Sequence, residues 1–402
     1  MKPIPFSPPD ITEEEINEVV AALKSGWITT GPRTKQLEKV IADFCGVNNC
    51  VCLNSQTAAS EMTLRLLGIG PGDEVIVPAY TYTASCSVIC HVGATPVMID
   101  SQKDNIEMDY DALEKAINEK TKVIIPVDLG GCMCDYDKIF EIVERKKNLF
   151  KAKNSIQQAF NRIIVLADTA HALGAKYHGK MAGSVADFSC FSFHAVKNMT
   201  TAEGGAVTWK DIPGFDNAEI YHQYQLLSLH GQSKDALEKT KIGAWEYDIV
   251  GPWHKCNMTD IAAAMGLGQM RRYEGILARR RFIVNSYNEA FKDLDISVLP
   301  HLDEDKPSSC HLYIVRLNHF SLEQRNLLIE KMGEAGIACN VHYKPLPMFT
   351  AYKALGFDIK NYPNAYNLYH NEVTLPLHTC LTDEDVERIE KEFIRIYKEI
   401  DK

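Results

Sequence analysis

An amine, a carboxylate, two aromatic rings and a pair of hydroxyls each follow an apolar run in this sequence. Lys197 comes after "SCFSF". A lysine in that place can condense with a carbonyl or, once neutral, carry a proton. Asp168 comes directly after "IIVLA", where an acid is costly to bury without a positive or donating partner. Tyr80 and Tyr82 come after "DEVIVP", and an aromatic ring there can stack on a flat ligand. Ser55, Gln56 and Thr57 come after "CVCLN", just where a helix begins; free N–H groups and two hydroxyls suit a phosphate. Taken singly, each has an ordinary reading: a solvated lysine, an N-cap, a packed tyrosine, a second N-cap.

What must position these groups is an alternation of strands and helices. The apolar runs "NCVCLNS", "DEVIVPA", "TPVMID", "TKVIIPVDL", "RIIVLADTA", "DFSCFSF" and "GGAVTW" read as strands. "TAASEMTLRLLGI", "TASCSVICHVGA" and "DYDALEKAI" read as helices between them. "ITEEEINEVVAALKSG" opens on a capping pattern from Thr12 to Glu15. Strands apolar throughout and separated by helices predict a mostly parallel seven-stranded sheet covered on both faces, an α/β fold. In such sheets ligands bind beyond the carboxyl ends of the strands, which is where the four groups fall.

The second half changes character. Residues 260–291 keep helical spacing for about thirty residues, long for one helix of a globular protein. Beyond them come "HLYIVRL" and two helical stretches, "SLEQRNLLIEKMGEAGI" and "DEDVERIEKEFIRIYKEI". A large domain over 1–250 and a smaller α/β C-terminal domain over 251–402, including the long linking helix, are expected. The basic stretch 144–162 is long for one connection and reads as a helical extension or an insertion.

Composition narrows the function classes. The 402 residues are 46% apolar and 24% charged, with a net charge of −10. That disfavours a broad basic face for nucleic acid. The first residues lack a charged-then-apolar leader, and no stretch approaches the ~18 apolar residues that span a bilayer. A cytoplasmic protein is expected. None of the 12 cysteines forms a Cys-x-x-Cys pair, so buried, reduced thiols are expected and no metal site.

The four groups together match what pyridoxal phosphate needs: an amine for its aldehyde, a carboxylate for its pyridine nitrogen, a stacking ring and phosphate donors. With the motifs "SGWITTGPRTKQLE" (25–38), "NSQTAAS" (54–60), "GIGPGDEVIVPAYTYTAS" (68–85), "GATPVMID" (93–100), "ADTAHALGAKYHGKMAGSVADFSCFSFHAVKNMTTAEGGAV" (167–207), "HKCNMTDIAAAMGLGQM" (254–270), "VHYKPL" (341–346) and "LPLHTCLTDEDV" (375–386), the whole chain resembles the DegT/DnrJ/StrS aminotransferases. These are the nucleotide-sugar branch of the fold type I pyridoxal-phosphate enzymes. "SGWITTGP" and "SFHAVKN" look most like enzymes that aminate a UDP-linked 4-keto sugar.

The resemblance implies roles residue by residue. Lys197 matches the lysine that carries the cofactor, and Asp168 the partner of its ring nitrogen. Tyr82 matches the stacking residue, and His171 the position near the ring hydroxyl. Ser55, Gln56, Thr57 and Ser192 match phosphate contacts. Lys255 and Asn257 match a segment that reaches across a dimer into the neighbouring site, which implies a homodimer with shared sites. Thr29, Thr30, Gly31, His194, His342 and Tyr343 fall on the substrate side. The implied reaction moves an amino group from a donor, L-glutamate, to a keto sugar nucleotide in two halves.

Two residues depart from the family's habit. Gln56 is larger than the usual residue between the phosphate-loop Ser and Thr. Asp128, after Val127, replaces a usual histidine and is expected to put an acid in or near the cleft. Relatives that dehydrate sugars carry His in place of the lysine, which Lys197 argues against. Aminotransferases for cyclic keto-polyols share the motifs, and a regulatory relative without activity would have little reason to keep Lys197, Asp168 and Tyr82 together.

Overall fold

The computed structural model describes residues 2–234 and 246–402. Its strands are β1 (Asn49–Leu53), β2 (Glu74–Pro78), β3 (Thr95–Ile99), β4 (Thr121–Ile124), β5 (Ile164–Asp168), a small hairpin of β6 (Lys176–Tyr177) and β7 (Lys180–Met181), then β8 (Phe188–Ser192) and β9 (Gly205–Trp209). All but the hairpin join one seven-stranded sheet in the order β1-β9-β8-β5-β4-β2-β3. Neighbours run parallel except β9, which is antiparallel to both β1 and β8. β4, β5 and β9 are buried along their whole length, as expected of strands covered on both faces. The fold is the α/β class read from the apolar runs, and all seven expected strands are present.

Helices α1 (Glu13–Lys24), α2 (Pro32–Cys45), α3 (Gln56–Leu66), α4 (Thr83–His91), α5 (Tyr110–Ala116), α6 (Tyr136–Arg145), α7 (Ser155–Phe160) and α8 (Asn217–Ser228) surround this sheet. The Thr12–Glu15 capping box forms as read. Glu15 also accepts from Arg272 at 2.7 Å while only 1% exposed. Its burial raises its pKa, but the Arg272 and Thr12 hydrogen bonds outweigh that and hold it below the usual value.

The stretch 260–291 is not one helix. α9 (Asp260–Arg271) ends at Arg272, whose backbone leaves the helical region (φ −113°, ψ 10°), and α10 (Tyr273–Phe291) continues from there. Periodicity survives such a break because it counts side chains and does not see one bent peptide. α9 packs against α1 and α2, and a Cβ on Gly268 would lie 2.9 Å from the Glu15 Cα. Glycine there permits the close approach of α1.

The C-terminal half of α10 faces a second sheet, β10 (Ile296–Val298), β11 (Tyr313–Leu317) and β12 (Glu372–Leu375), all antiparallel. α11 (Leu322–Glu334), the short α12 (Thr350–Ala354) and α13 (Pro363–His370), and α14 (Asp383–Ile400) complete this part. Ile283, Tyr287, Val315, Leu328, Ile389 and Phe393 fill its core.

The basic stretch 144–162 divides between the end of α6 and α7. Buried Gln157 donates to the carbonyl of Leu67 at 2.8 Å, and Asn154 donates to the same oxygen at 2.9 Å. Arg162 pairs with buried Asp187 at 2.8 Å. The segment is thus a packed addition against the end of α3.

Candidate functional site

β5 and β8 are parallel neighbours, with Asp168 opposite Cys190. Their carboxyl ends therefore bring Asp168 beside the turn that carries Lys197. In that turn the Lys197 N–H donates to His194 at 2.9 Å, and the Thr201 N–H donates to Phe193 at 2.9 Å. Both residues open onto a cavity of about 620 Å³ that Ser55, Gln56, Thr57, Tyr82, His171, Ser192, His194, His342 and Tyr343 also line. This is the size of a cofactor or small-ligand site.

Burial lowers the Lys197 pKa to about 8, with the Asp168 carboxylate pulling the other way. Asp168 is 5% exposed. Ser85 donates its hydroxyl to Oδ2 at 2.7 Å and the Ala170 N–H reaches Oδ1 at 3.1 Å. Burial raises the Asp168 pKa, opposed by these two donors and the charge of Lys197. Each carboxylate oxygen thus has one neutral donor, and a cationic partner in the cavity would offset the remaining cost of burial.

Ser55 is the N-cap of α3, accepting the Ala58 N–H at 3.0 Å. The N–H groups of Gln56 and Thr57 begin the helix, where no carbonyl of a preceding turn accepts them, so they suit an anion. The long Gln56 side chain turns inward and donates to Ser60 Oγ at 2.9 Å. Gly205 lies against this cap. A Cβ there would sit 2.4 Å from both Gln56 N and Ser55 C. Gly205 therefore serves the approach of β9 to the start of α3, while a Cβ on Gly204 would meet Thr201 Oγ1 at 2.0 Å.

Tyr82 is 59% exposed, its ring 5.8 Å from that of Tyr343. Tyr343 is 3.4 Å from His171 Nε2 through its hydroxyl. The other ring nitrogen of His171, Nδ1, accepts the Gly130 N–H at 3.1 Å. His342 holds Thr374 Oγ1 at 3.0 Å, and its N–H donates to Glu372 at 2.9 Å. Burial, then the charge of Lys197, drives the His342 pKa down to about 3, so His342 is neutral. Ser192 accepts the His194 N–H at 3.4 Å, and His194 Nε2 lies 3.7 Å from Glu203.

Thr29, Thr30, Lys255 and Asn257 are not among the residues lining this cavity. They gather with one another instead. Lys255 donates to Asn257, Asn257 to Thr30, and Thr30 to the Met258 carbonyl at 2.5 Å. The segment runs beside the end of β1, since the Asn54 N–H donates to the Cys256 carbonyl at 2.8 Å. Asp128 is among the residues lining the cavity, as read from the sequence. Its carboxyl group is buried and turned to the protein, accepting the Cys134 N–H and the Tyr136 hydroxyl, each at 3.0 Å.

Two contributors escape the sequence reading. Ser85 stands three residues after Tyr82, on the first turn of α4, and that spacing could have flagged it. Gly130 acts through its backbone, which leaves no signature beyond the paired glycines.

Residues 9–393 match the DegT/DnrJ/EryC1/StrS aminotransferase family. The structure of Spr1654 from Streptococcus pneumoniae in its PMP form, a provisionally assigned sugar aminotransferase, is 60% identical, with a TM-score of 0.96 over 99% of this chain and 100% of that one. Its PLP form superposes with the same TM-score. The Bacillus subtilis spore coat polysaccharide biosynthesis protein SpsC is 35% identical over 96% of this chain and 95% of its own. Helicobacter pylori PseC, an aminotransferase involved in the biosynthesis of pseudoaminic acid, is 28% identical, with a TM-score of 0.86 over 99% and 100%. Among the described residues no helix is long and apolar enough to cross a membrane. Nor, among them, does any group of three or more His, Cys, Asp or Glu offer to hold a metal ion.

Proposed function

Because the chain belongs to the DegT/DnrJ/EryC1/StrS aminotransferase family, whose members depend on pyridoxal phosphate, we propose that it transfers an amino group from L-glutamate to a keto sugar carried on a nucleotide diphosphate, of the 4-keto-6-deoxy kind. The observation that carries this reading is Asp168, a buried carboxylate held by two neutral donors in the same cavity as Lys197.

The residues present fit the cofactor. Gly205 leaves room for the start of α3, whose N–H groups with Ser55, Thr57 and Ser192 would hold the phosphate. Asp168 would pair with the protonated ring nitrogen, Tyr82 would cover one face of the ring, and His171 would meet the ring oxygen. When bound, pyridoxal phosphate supplies an electron-withdrawing ring that makes a carbon beside an amine acidic.

The chain's own groups do the rest. Lys197, neutral above about pH 8, takes the proton from the α-carbon of the donor and later returns one to the sugar carbon. Asp168, fixed in orientation by Ser85, keeps its charge on the ring nitrogen through both halves. His194, His342 and Tyr343 also line the cavity, and the sugar would lie against them. The chemistry of PseC and SpsC, both tied to sugar products by their names, supports a sugar acceptor.

Two copies would share their sites. Thr29, Thr30, Lys255 and Asn257 lie off this chain's cavity yet next to its phosphate-loop strand, which suits a reach into a partner's site. The cytoplasm suits the 12 unpaired cysteines, most of them buried. The test is a panel of keto sugar nucleotides offered to the pyridoxamine form, read by return of the cofactor's visible band. Recovery with a nucleotide-linked keto sugar is expected. Recovery only with free keto-polyols would overturn the sugar-nucleotide assignment.

A further inference from the structure

The buried acid that departs from the family's habit has a place in the site after all. We propose that Asp128 is a positioning residue: it anchors the turn whose Gly130 N–H fixes His171 in the Nε2–H tautomer, so that His171 presents one N–H donor, and no acceptor, to the cofactor's ring oxygen. The proposal rests on the cavity being the cofactor site.

Hydrogen bonds tie the acid's turn at both ends and lead to the ring. The Asp128 carboxylate accepts the Cys134 N–H through Oδ1 at 3.0 Å and the Tyr136 hydroxyl at 3.0 Å from either oxygen. Its own N–H donates to the Asp168 carbonyl at 3.0 Å, which ties the turn to the strand end carrying the ring-nitrogen partner. The turn then passes through Gly130 (φ +67°) and Gly131 (φ +92°). A Cβ on Gly131 would lie 2.1 Å from Ser309 Oγ and 3.0 Å from the His171 carbonyl, so only glycine fits there. Thus wedged, Gly130 aims its N–H at His171 Nδ1 from 3.1 Å.

A backbone N–H can only donate, so Nδ1 must carry the lone pair. Burial and the charge of Lys197 push the His171 pKa well below its usual value, so the ring is neutral and its single proton sits on Nε2. That atom faces the Tyr343 hydroxyl at 3.4 Å across the cavity wall. A neutral donor at this point stabilises an anionic ring oxygen without adding a cation beside Lys197. The carboxylic acid of Asp128 is itself pushed up to about 8 by burial, so near neutrality an asparagine reproduces its charge and its carbonyl acceptor.

The test uses the full chain labelled with 15N-histidine, without cofactor, with His171 assigned from its absence in His171→Gln. The expected wild-type result is a bare Nδ1 and a protonated Nε2. Asp128→Ala is expected to show exchange between tautomers, and Asp128→Asn to keep one. After cofactor is added, the pH midpoint of the visible band should rise by about one unit in Asp128→Ala, the scale of losing one hydrogen bond to an anion, and stay put in Asp128→Asn. A wild-type His171 protonated on Nδ1, or an Asp128→Ala protein with His171 unchanged, would overturn the proposal. Should Asp128→Ala fail to fold, Tyr136→Phe removes one of the two holds, and an unchanged tautomer and midpoint there would overturn it equally. No visible band in wild type would overturn the cofactor reading instead, since the tautomer is decided by the cofactor-free spectra alone.

Discussion

Ser85 donates to Asp168 Oδ2 at 2.7 Å across 83 positions of sequence. The bond joins the first turn of α4 to the end of β5 and sets which way the carboxylate faces. With Ala170 on the other oxygen, it keeps a negative group oriented where burial would otherwise favour the neutral acid.

Asp168→Asn should fold, because the amide keeps the shape and can still accept from Ser85. It removes the charge that would support the ring nitrogen in the proposed mechanism. Turnover of the glutamate half-reaction should fall by about 10²–10³-fold, the scale of losing one preorganised electrostatic contact. Ser85→Ala should cost about tenfold, equivalent to one charge-assisted hydrogen bond. Rapid mixing with L-glutamate, followed by absorbance, measures both. A fully active Asp168→Asn would remove Asp168 from the mechanism.

The state of Lys197 carries a pH signature. Burial lowers its pKa to about 8 from the ordinary lysine value of 10.5. The neutral, proton-accepting form therefore grows as pH rises through about 8 and is lost below it. In the cofactor-free protein, reductive 13C-methylation should report a lysine titrating near 8. In Asp168→Asn that midpoint should move lower, because the carboxylate is what opposes the shift. A midpoint near the ordinary lysine value would show Lys197 to be solvated.

Gly205 allows β9 to touch the start of α3. Gly205→Ala should displace the Ser55–Gln56 backbone, destabilise the protein by about 1–3 kcal/mol, and weaken cofactor binding. Thermal unfolding and a fluorescence titration with pyridoxal phosphate would register the two effects. Gly26→Ala serves as a contrast, since nothing lies within 4 Å of its would-be Cβ. It should lower stability through its positive φ and leave cofactor affinity alone. Equal losses of affinity in both variants would deny Gly205 a role in the phosphate cradle.

Much of this site is legible in the sequence because the strands are. Seven apolar runs mark seven strands, and the residues just past them, Ser55, Tyr82, Asp168 and Lys197, reach one cavity because parallel strands end on one side. What pattern does not carry is contact between backbones. The break at Arg272 leaves the helical period intact, so 260–291 reads as continuous. Asp128 reads rightly as an acid at the cleft, but its partners, Tyr136 and the Cys134 N–H, are ones that only folding brings within 3.0 Å. Thr29 and Thr30 carry no mark of lying off the cavity lining, and only the family resemblance sets Lys255 and Asn257 apart from their own chain's site.

Lys197 is proposed as the amine to which the cofactor is attached. The direct measurement is to load the protein with pyridoxal phosphate, reduce it with borohydride, digest it and locate the cofactor by mass spectrometry. The label should fall on the peptide containing Lys197, and Lys197→Ala should carry none and show no protein-bound visible band. A label on another lysine, or an unchanged band in Lys197→Ala, would show that Lys197 does not carry the cofactor.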